Sequence, residues 1–201
     1  MSRIIVIGEA DLRIGFDGLT PLSARPGGRM LNLAAELSRR GHDVVFASEV
    51  GNDAVGDLIV HYLDSEGVDT RSIERSVTMT TPATLTFGDM PPVRYDRCES
   101  ESDGFDIVWP EVERARTVVV FGGYFAVNQR VRPRLMQLLG YMTDRKCPVI
   151  YVPGFDLSRV SRITRVMPMI FENLEIAATV VTQTADILNI FGKADPAAVF
   201  R

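Results

Sequence analysis

Apolar runs and segments of helical periodicity alternate along the chain. Residues 3–8 contain a continuous apolar run that ends at Gly8, which is typical of a strand buried on both faces of a parallel sheet. From Gly28 onward the pattern becomes helical, and Arg39 to Gly41 predict the helix end. Apolar residues recur there at the i, i+3, i+4 and i+7 spacing of one buried face: Met30, Leu33, Ala34 and Leu37.

The same alternation continues through the rest of the chain. Further strands are predicted at residues 43–47, 117–121, 148–152 and 179–181. Further helices are predicted at residues 53–65, 132–144, 158–173 and 186–191, with Asp53 as the N-cap of the first. This alternation favours one α/β domain over residues 1–201, with a mostly parallel sheet and right-handed crossovers.

Two stretches interrupt the α/β pattern. Residues 12–16 follow the first strand with no helix between them, and residues 79–97 show period-2 alternation around a Gly/Pro turn. Both predict strands of a small sheet beside the α/β body. Its apolar positions, Ala83, Leu85 and Phe87, need a cover, and we expect a symmetric partner or a bound ligand.

Composition excludes several classes of function. Lys and Arg total 22 against 26 Asp and Glu, a net charge of −4, so the chain has no basic surplus for binding nucleic acid. No apolar run reaches the roughly 20 residues of a membrane span, and the N-terminus does not resemble a signal peptide. Cys98 and Cys147 have no second Cys or His at metal spacing, so we expect free thiols in the cytoplasm.

Gly27 and Gly28 mark a candidate binding site. Two glycines before a helix let backbone N–H groups approach a ligand, and the helix N-terminus favours negative charge. Asn32 lies one turn further, so its amide is able to face the same opening and to bind sugar hydroxyls. A glycine turn followed by a helix without any ligand explains these residues equally well.

Three segments together resemble the pfkB, or ribokinase-like, carbohydrate kinases, in particular fructokinase-type members. Residues 26–34 resemble the family pattern P-G-G-x-x-x-N-x-A, and residues 51–57 with 66–70 resemble G-x-D-x-x-G-D … E-G-V-D-T. Residues 121–126 complete the series in the expected order. The resemblance implies a ribokinase-like three-layer α/β/α sandwich with a small β lid, here residues 11–18 and 79–97. It also implies a transferase that uses ATP and Mg²⁺, with Gly27, Gly28 and Asn32 as sugar contacts.

The chain departs from the family at several polar positions. Where the pattern G-x-x-x-x-D places a sugar-binding Asp, counting from Gly8 gives Arg13, with Asp11 two residues earlier. Arginine only donates hydrogen bonds, so either Asp11 takes over this role or Arg13 favours an anionic ligand such as a sugar phosphate or acid. The N-x-x-E pattern associated with magnesium appears as Gln183 to Asp186, which makes Asp186 the candidate metal ligand.

The family's G-A-G-D segment, which supplies the anion hole and the catalytic base, does not occur in residues 1–201. We therefore expect a C-terminally truncated kinase that transfers no phosphoryl group by itself. No catalytic or nucleotide-binding residue is assigned, and a role for ATP and Mg²⁺ rests on the resemblance alone. Two alternatives are a sugar or sugar-phosphate binding protein with a regulatory role, and an interaction protein that forms a homodimer through the lid.

Overall fold

The computed structural model describes residues 2–97, 104–113, 116–154, 159–160, 162–193 and 195. The elements follow the chain in this order: β1 (Arg3–Ile7), β2 (Asp11–Asp17), β3 (Thr20–Gly27), α1 (Arg29–Arg39), β4 (Asp43–Gly51), α2 (Ala54–Ser65), β5 (Ile73–Ser76), β6 (Ala83–Phe87), β7 (Val93–Tyr95), β8 (Thr117–Gly122), a 3-10 helix (Tyr124–Val127), α3 (Arg132–Asp144), β9 (Val149–Val152), α4 (Ile163–Ile176), β10 (Thr179–Val180) and α5 (Thr184–Phe191).

The larger sheet is parallel. Within the described residues it has six strands in the order β10-β9-β8-β1-β4-β5. Ile5, Val6 and Ile7 of β1 have no exposed surface, as expected for a strand in the middle of a sheet covered on both faces. The chain moves from β1 towards β4 and β5, and later continues from β8 on the other side of β1. The strand order therefore reverses between β1 and β8.

Helices cover both faces of this sheet and complete a three-layer α/β/α arrangement. On one face, α1 and α2 pack against alternate residues of the central strands, among them Val6 and Phe46. On the opposite face, α3 packs against the intervening residues, among them Ile7 and Phe121. The predicted α/β class with a mostly parallel sheet is confirmed.

The described residues form a second sheet of four strands in the order β3-β2-β6-β7. Strand β2 pairs with β3 in antiparallel and with β6 in parallel orientation, and β6 and β7 form the predicted hairpin. One face is apolar, and its side chains are only partly covered: Leu12, Ile14, Phe16, Leu85, Phe87, Val93 and Tyr95. Phe16 and Phe87 stack on this face with ring centroids 4.7 Å apart. Residues of the other face line the cavities described below.

Four observed elements differ clearly from the predicted ones. Strands β3 and β5 were not predicted, and β4 extends to Gly51 rather than ending near residue 47. Helix α4 begins at Ile163, whereas the periodicity predicted a start near residue 158.

Cys98 and most of the acidic segment at 99–106 lie outside the described residues, while Cys147 is a buried free thiol. No helix in the described part of the chain is long and apolar enough to cross a bilayer.

Candidate functional site

A cavity of about 300 Å³ opens where the strand order reverses. In open α/β sheets, ligands bind at such a point, beyond the carboxyl ends of the strands. Glu9 follows β1 here, Gly122 ends β8, and Gly123 and Gly154 lie just beyond the ends of β8 and β9. The polar face of the small sheet forms the opposite wall, with Thr84, Thr86 and other residues of β2, β6 and β7.

Glycine backbone forms part of the cavity wall. Gly28 precedes α1 with φ 125°, and a Cβ atom there would lie 2.6 Å from the carbonyl oxygen of Glu9. No side chain caps the N-terminus of α1, and its first turn contains no acidic residue. Gly123, with φ 68°, begins the 3-10 helix on the other side of the opening. Only glycine fits position 28, and α1 directs an uncapped N-terminus towards the site.

Asp11, the first residue of β2, is buried on the polar face of the small sheet and is surrounded by donors. Three described side chains donate to its carboxylate: Thr84 Oγ1 at 2.6 Å, Arg13 Nε at 3.3 Å and Arg94 Nη1 at 3.4 Å. The Asp11 side chain is only 6% exposed. These donors engage both oxygens of Asp11, and its role as a sugar contact stays a prediction.

Glu9 anchors two further arginines at the cavity. Its carboxylate accepts a hydrogen bond from Arg94 Nη2 at 3.3 Å and a second one from Arg159. The Arg159 guanidinium also stacks on the Tyr124 ring, 3.9 Å from its centroid. Of the described residues lining this cavity, four are arginines and two are carboxylates: Arg13, Arg29, Arg94, Arg159, Glu9 and Asp11. The lining is therefore net positive.

The predicted sugar contacts do not all lie in this cavity. Asp11, Arg13 and Gly28 line it, whereas Gly27 and Asn32 line a neighbouring groove of about 500 Å³ between β3, α1 and α2. Arg13 contributes to both. Its side chain covers Gly27, where a Cβ atom would lie 2.6 Å from Arg13 Cδ. The two spaces thus meet at Arg13, which lies between the two halves of the predicted site.

Asp186, the predicted metal ligand, lies at the start of α5. Its carboxylate accepts a hydrogen bond from the backbone N–H of Gln183 at 3.3 Å and forms an ion pair with Arg29 Nη1 at 3.6 Å. The Arg29 guanidinium packs directly over Gly154. The Asp186 side chain is 8% exposed, and no group of three potential metal ligands exists among the described residues. In this structure the Arg29 guanidinium faces the Asp186 carboxylate, and the role of Asp186 as a metal ligand stays a prediction.

A second charged cluster lies outside both cavities, at the ends of β4 and β5. Arg130 forms a two-pronged ion pair with Glu49, whose side chain is 2% exposed. Backbone N–H groups of Phe105 and Asp106 donate to Glu49 and Glu74 at 2.6 and 2.7 Å. Burial raises the pKa of Glu74, and the neighbouring Glu49 carboxylate raises it further. This cluster fastens residues 105–106 to the sheet.

The sequence pattern indicated the Gly27–Gly28 turn and the departure at Arg13, but it missed most of the cavity lining. Glu9, Arg29, Arg94 and Arg159 were not selected, because single charged residues carry no signal until the fold brings them together. The sequence did contain one signal for Glu9. It directly follows a strand predicted to be buried, and ligands of parallel sheets bind beyond the carboxyl ends of the strands.

Comparison with known proteins identifies the fold and the sequence family. The model of the pfkB family carbohydrate kinases matches residues 3–200. An uncharacterized sugar kinase of Pyrococcus horikoshii is 29% identical over 147 residues, which cover 68% of this chain and 44% of that protein. A 5-dehydro-2-deoxygluconokinase of Clostridium beijerinckii is 28% identical over 103 residues, 48% of this chain and 30% of that enzyme. The matched segments thus cover less than half the length of these two relatives.

Solved structures show the same architecture. The structure of the P. horikoshii kinase superposes with a TM-score of 0.81 at 22% identity, over 94% of this chain and 68% of that chain. The same kinase has been solved in complex with ATP. The fructokinase of Vibrio cholerae O395, bound to fructose, ADP and calcium, superposes with a TM-score of 0.84 at 18% identity, over 98% of this chain and 65% of that chain. At these identities the likeness establishes a ribokinase-like fold.

Proposed function

This chain belongs to the pfkB family of carbohydrate kinases, and from that premise we propose that residues 1–201 form the sugar-binding part of such a kinase. The observation that carries the proposal is the polar cavity at the strand-order reversal, enclosed by the small sheet and the uncapped N-terminus of α1. The small sheet acts as the lid over the bound sugar. A kinase of this family transfers a phosphoryl group from ATP to a sugar hydroxyl.

The proposed sugar contacts are Arg13, Gly27, Gly28 and Asn32. Asn32 is exposed in the groove, so both its amide donor and its amide acceptor are accessible to sugar hydroxyls. The backbone at Gly28 comes close to a ligand because this residue has no side chain, and the Arg13 side chain that covers Gly27 lies beside it. Asp11 supports this site through its ion pairs with Arg13 and Arg94, which hold the two guanidinium groups in place.

Phosphoryl transfer is not assigned to any residue of this chain. Transfer needs a cluster of donors for the developing charge and a base for the sugar hydroxyl, and the G-A-G-D segment that supplies both in the family does not occur in residues 1–201. Asp186 faces the Arg29 guanidinium and its role as a metal ligand stays a prediction, so we derive no step through a metal. We propose that the 201-residue chain binds sugar without phosphorylating it.

A kinetic assay tests this proposal. Purified chain is incubated with Mg²⁺-ATP and a panel of sugars and sugar acids, and ADP release is followed by a coupled enzyme assay. We expect no sugar-dependent ADP release above that of a sample without protein. Steady turnover that disappears in Asn32→Ala would contradict the proposal, because the chain would then carry a complete active site.

A second role is favoured by the apolar face of the small sheet. Val93 and Tyr95 on that face are 42% and 60% exposed, and a second copy of the chain is a suitable cover. We propose a homodimer that forms through this face, either together with sugar binding or as the main role of an interaction protein. The buried free thiol of Cys147 is consistent with a cytoplasmic location.

A further inference from the structure

Two carboxyl side chains lie side by side at the ends of β4 and β5. Glu49 and Glu74 are partners in the register of these parallel strands, so their side chains leave the same face of the sheet about 5 Å apart. The apolar cluster that contains Phe105 and Phe125 covers this face. The Glu49 side chain is 2% exposed, and Glu74 is half-buried. Two negative charges this close repel each other strongly, because water is largely excluded from between them.

Within the described residues, one cation faces this carboxyl pair. Arg130, from the loop before α3, donates to Glu49 through both terminal nitrogens of its guanidinium group. The other charged groups on this side of the sheet are Asp106 and Arg134, which lie 3.6 Å apart at the surface and pair with each other. Arg75, the next residue of β5, points to the opposite face and pairs with a carboxylate of α2. One guanidinium group therefore serves two carboxyl groups, and full ionisation leaves the pair with surplus negative charge.

The carboxyl pair holds a backbone segment that is strained. The Phe105 N–H donates to Glu49 Oε2 at 2.6 Å, and the Asp106 N–H donates to Glu74 Oε2 at 2.7 Å. Phe105 is 1% exposed and has φ 70°, a left-handed conformation that is uncommon for a bulky residue. Such a conformation persists only where the surrounding structure holds it. The two hydrogen bonds to the carboxyl pair thus contribute directly to keeping residues 104–107 on the sheet.

We propose that Glu74 operates a clasp on residues 104–107, which a proton on its carboxyl group closes and the loss of that proton loosens. A protonated Glu74 is able to donate a hydrogen bond to Glu49 and still accept one from the Asp106 N–H. An ionised Glu74 instead adds a second negative charge beside Glu49, and Arg130 already pairs with the first. The clasped segment lies in the connection from the small sheet to β8. The inference thus gives this connection a dependence on pH, which goes beyond sugar binding.

The pKa of Glu74 supports this direction. Burial raises the pKa above the ordinary value of 4.5, and the Glu49 carboxylate raises it further, although backbone N–H groups of Asp106 and Phe105 act to lower it. A carboxyl group with a raised folded-state pKa contributes stability that is complete below its unfolded-state pKa. That contribution is lost as the pH rises through the folded-state pKa. The clasp should therefore be closed in mild acid and loosen as the pH rises.

Hydrogen exchange of the Phe105 and Asp106 amides tests the inference, because the carboxyl pair binds both of these N–H groups. Exchange is followed by NMR at several pH values, and each rate is divided by the intrinsic rate of an unstructured chain at the same pH. In the wild type we expect the protection of both amides to fall at least about tenfold between about pH 5 and about pH 8. The Val119 amide, which donates to the Pro148 carbonyl oxygen at 2.9 Å, should keep its protection.

Three variants identify the group that titrates. Glu74→Gln should keep the protection high at every pH, because its amide retains an acceptor for the Asp106 N–H and gains donors for Glu49. Glu113→Gln is the matched control, since it removes an exposed carboxyl group from the same connection and should keep the wild-type pH dependence. Asp106→Asn should also keep it, because the Asp106 side chain is 70% exposed and pairs with Arg134.

Three results would overturn the inference. They are a wild-type protection that does not change with pH, a Glu74→Gln variant with the wild-type pH dependence, and an Asp106→Asn variant without it. The last result would make Asp106 the titrating group. Sugar binding is tested by separate measurements, so each of these results leaves the proposed function in place.

Discussion

Asp53 joins the start of α2 to the segment before β6. Its carboxylate accepts hydrogen bonds from the Gly56 backbone N–H at 2.8 Å, from the Thr81 backbone N–H at 2.7 Å and from the Thr81 hydroxyl at 2.7 Å. One side chain therefore caps a helix and also positions the strand that carries Thr84. We expect Asp53→Ala to lower the free energy of unfolding by about 2 kcal/mol, because it removes the cap and leaves buried donors without a partner.

Urea denaturation measures this change, and Asp144→Ala is the matched control. Asp144 is the exposed last residue of α3 and should change stability by no more than about 0.5 kcal/mol. Equal stabilities for the two variants would show that Asp53 makes no special contribution.

The same residue gives stability a dependence on pH. Burial acts to raise the pKa of Asp53, but hydrogen bonds from Thr81 and Gly56 outweigh it, and the pKa lies below the ordinary value of 3.8. A carboxyl with a lowered pKa stabilises the fold above its unfolded-state pKa and loses that contribution as the pH falls through the folded-state pKa. The stability gap between wild type and Asp53→Ala should therefore be constant near neutral pH and shrink below pH 3.8. A gap that widens in acid would contradict this account.

At the residue scale, sequence patterns recognise caps and glycines better than buried charges. Asp53 was predicted as an N-cap because its position before an apolar periodic segment suffices to identify it. The buried pair of Glu49 and Arg130 was not predicted, since the two residues are 81 positions apart and each resembles a surface residue by itself. Likewise, the sequence left open whether Asp11 takes over a sugar contact. Its three donors, two of them more than 70 residues away, were not predictable from the sequence, and the sugar contact itself stays a prediction.

Among the elements, the small sheet presents its polar face to the cavities and its apolar face outward. We expect the chain to be a dimer in solution, and Leu85→Asp to yield monomers, because the change places a charge in the centre of the apolar face. Multi-angle light scattering measures the mass directly. Thr86→Asp is the matched control, since it adds the same charge to the opposite face of the same strand. A wild-type monomer, or a Leu85→Asp dimer, would rule out this interface.

Elements with a strong hydrophobic pattern were predictable. The helices α1, α2 and α3 end within about one residue of their predicted bounds, because periodic apolar residues and caps agree there. Strand β3 was missed because it contains Pro21 and Pro26 and most of its residues are exposed, so it has no apolar alternation to detect. Strand β5, with the sequence IERS, is too short and too polar to stand out, and its pairing with β4 defines it.

Across the whole molecule, strand pairing decides where the site lies. The alternation of strands and helices predicts a parallel sheet, but it does not predict that β1 lies between β8 and β4. Nor does it predict that β2 pairs with β6, about 70 residues away. These pairings place the arginines of the small sheet opposite the glycines of the large one. The candidate cavity is therefore a property of the fold, and the sequence indicated only its glycine turn and the pair Asp11 and Arg13.

The central claim is that the chain binds a sugar or sugar derivative at the cavity next to Gly28. The most direct measurement is the melting temperature of the chain with sugars, sugar acids and sugar phosphates, each with and without Mg²⁺-ATP. A ligand at about 100 times its dissociation constant adds about 2.7 kcal/mol of stability. In a chain of this size, that amount raises the melting temperature by about 5 to 10 °C.

Two glycine variants show where the ligand binds. Gly28→Ala should lose the shift, because position 28 has φ 125° and a Cβ atom there would lie 2.6 Å from the Glu9 carbonyl oxygen. Gly140→Ala, where a Cβ atom meets nothing within 4 Å, should keep it. The account predicts a shift with a sugar-like ligand, none with ATP alone, and loss of the shift in Gly28→Ala only. A shift with ATP alone, or none with any sugar-like ligand, would contradict it.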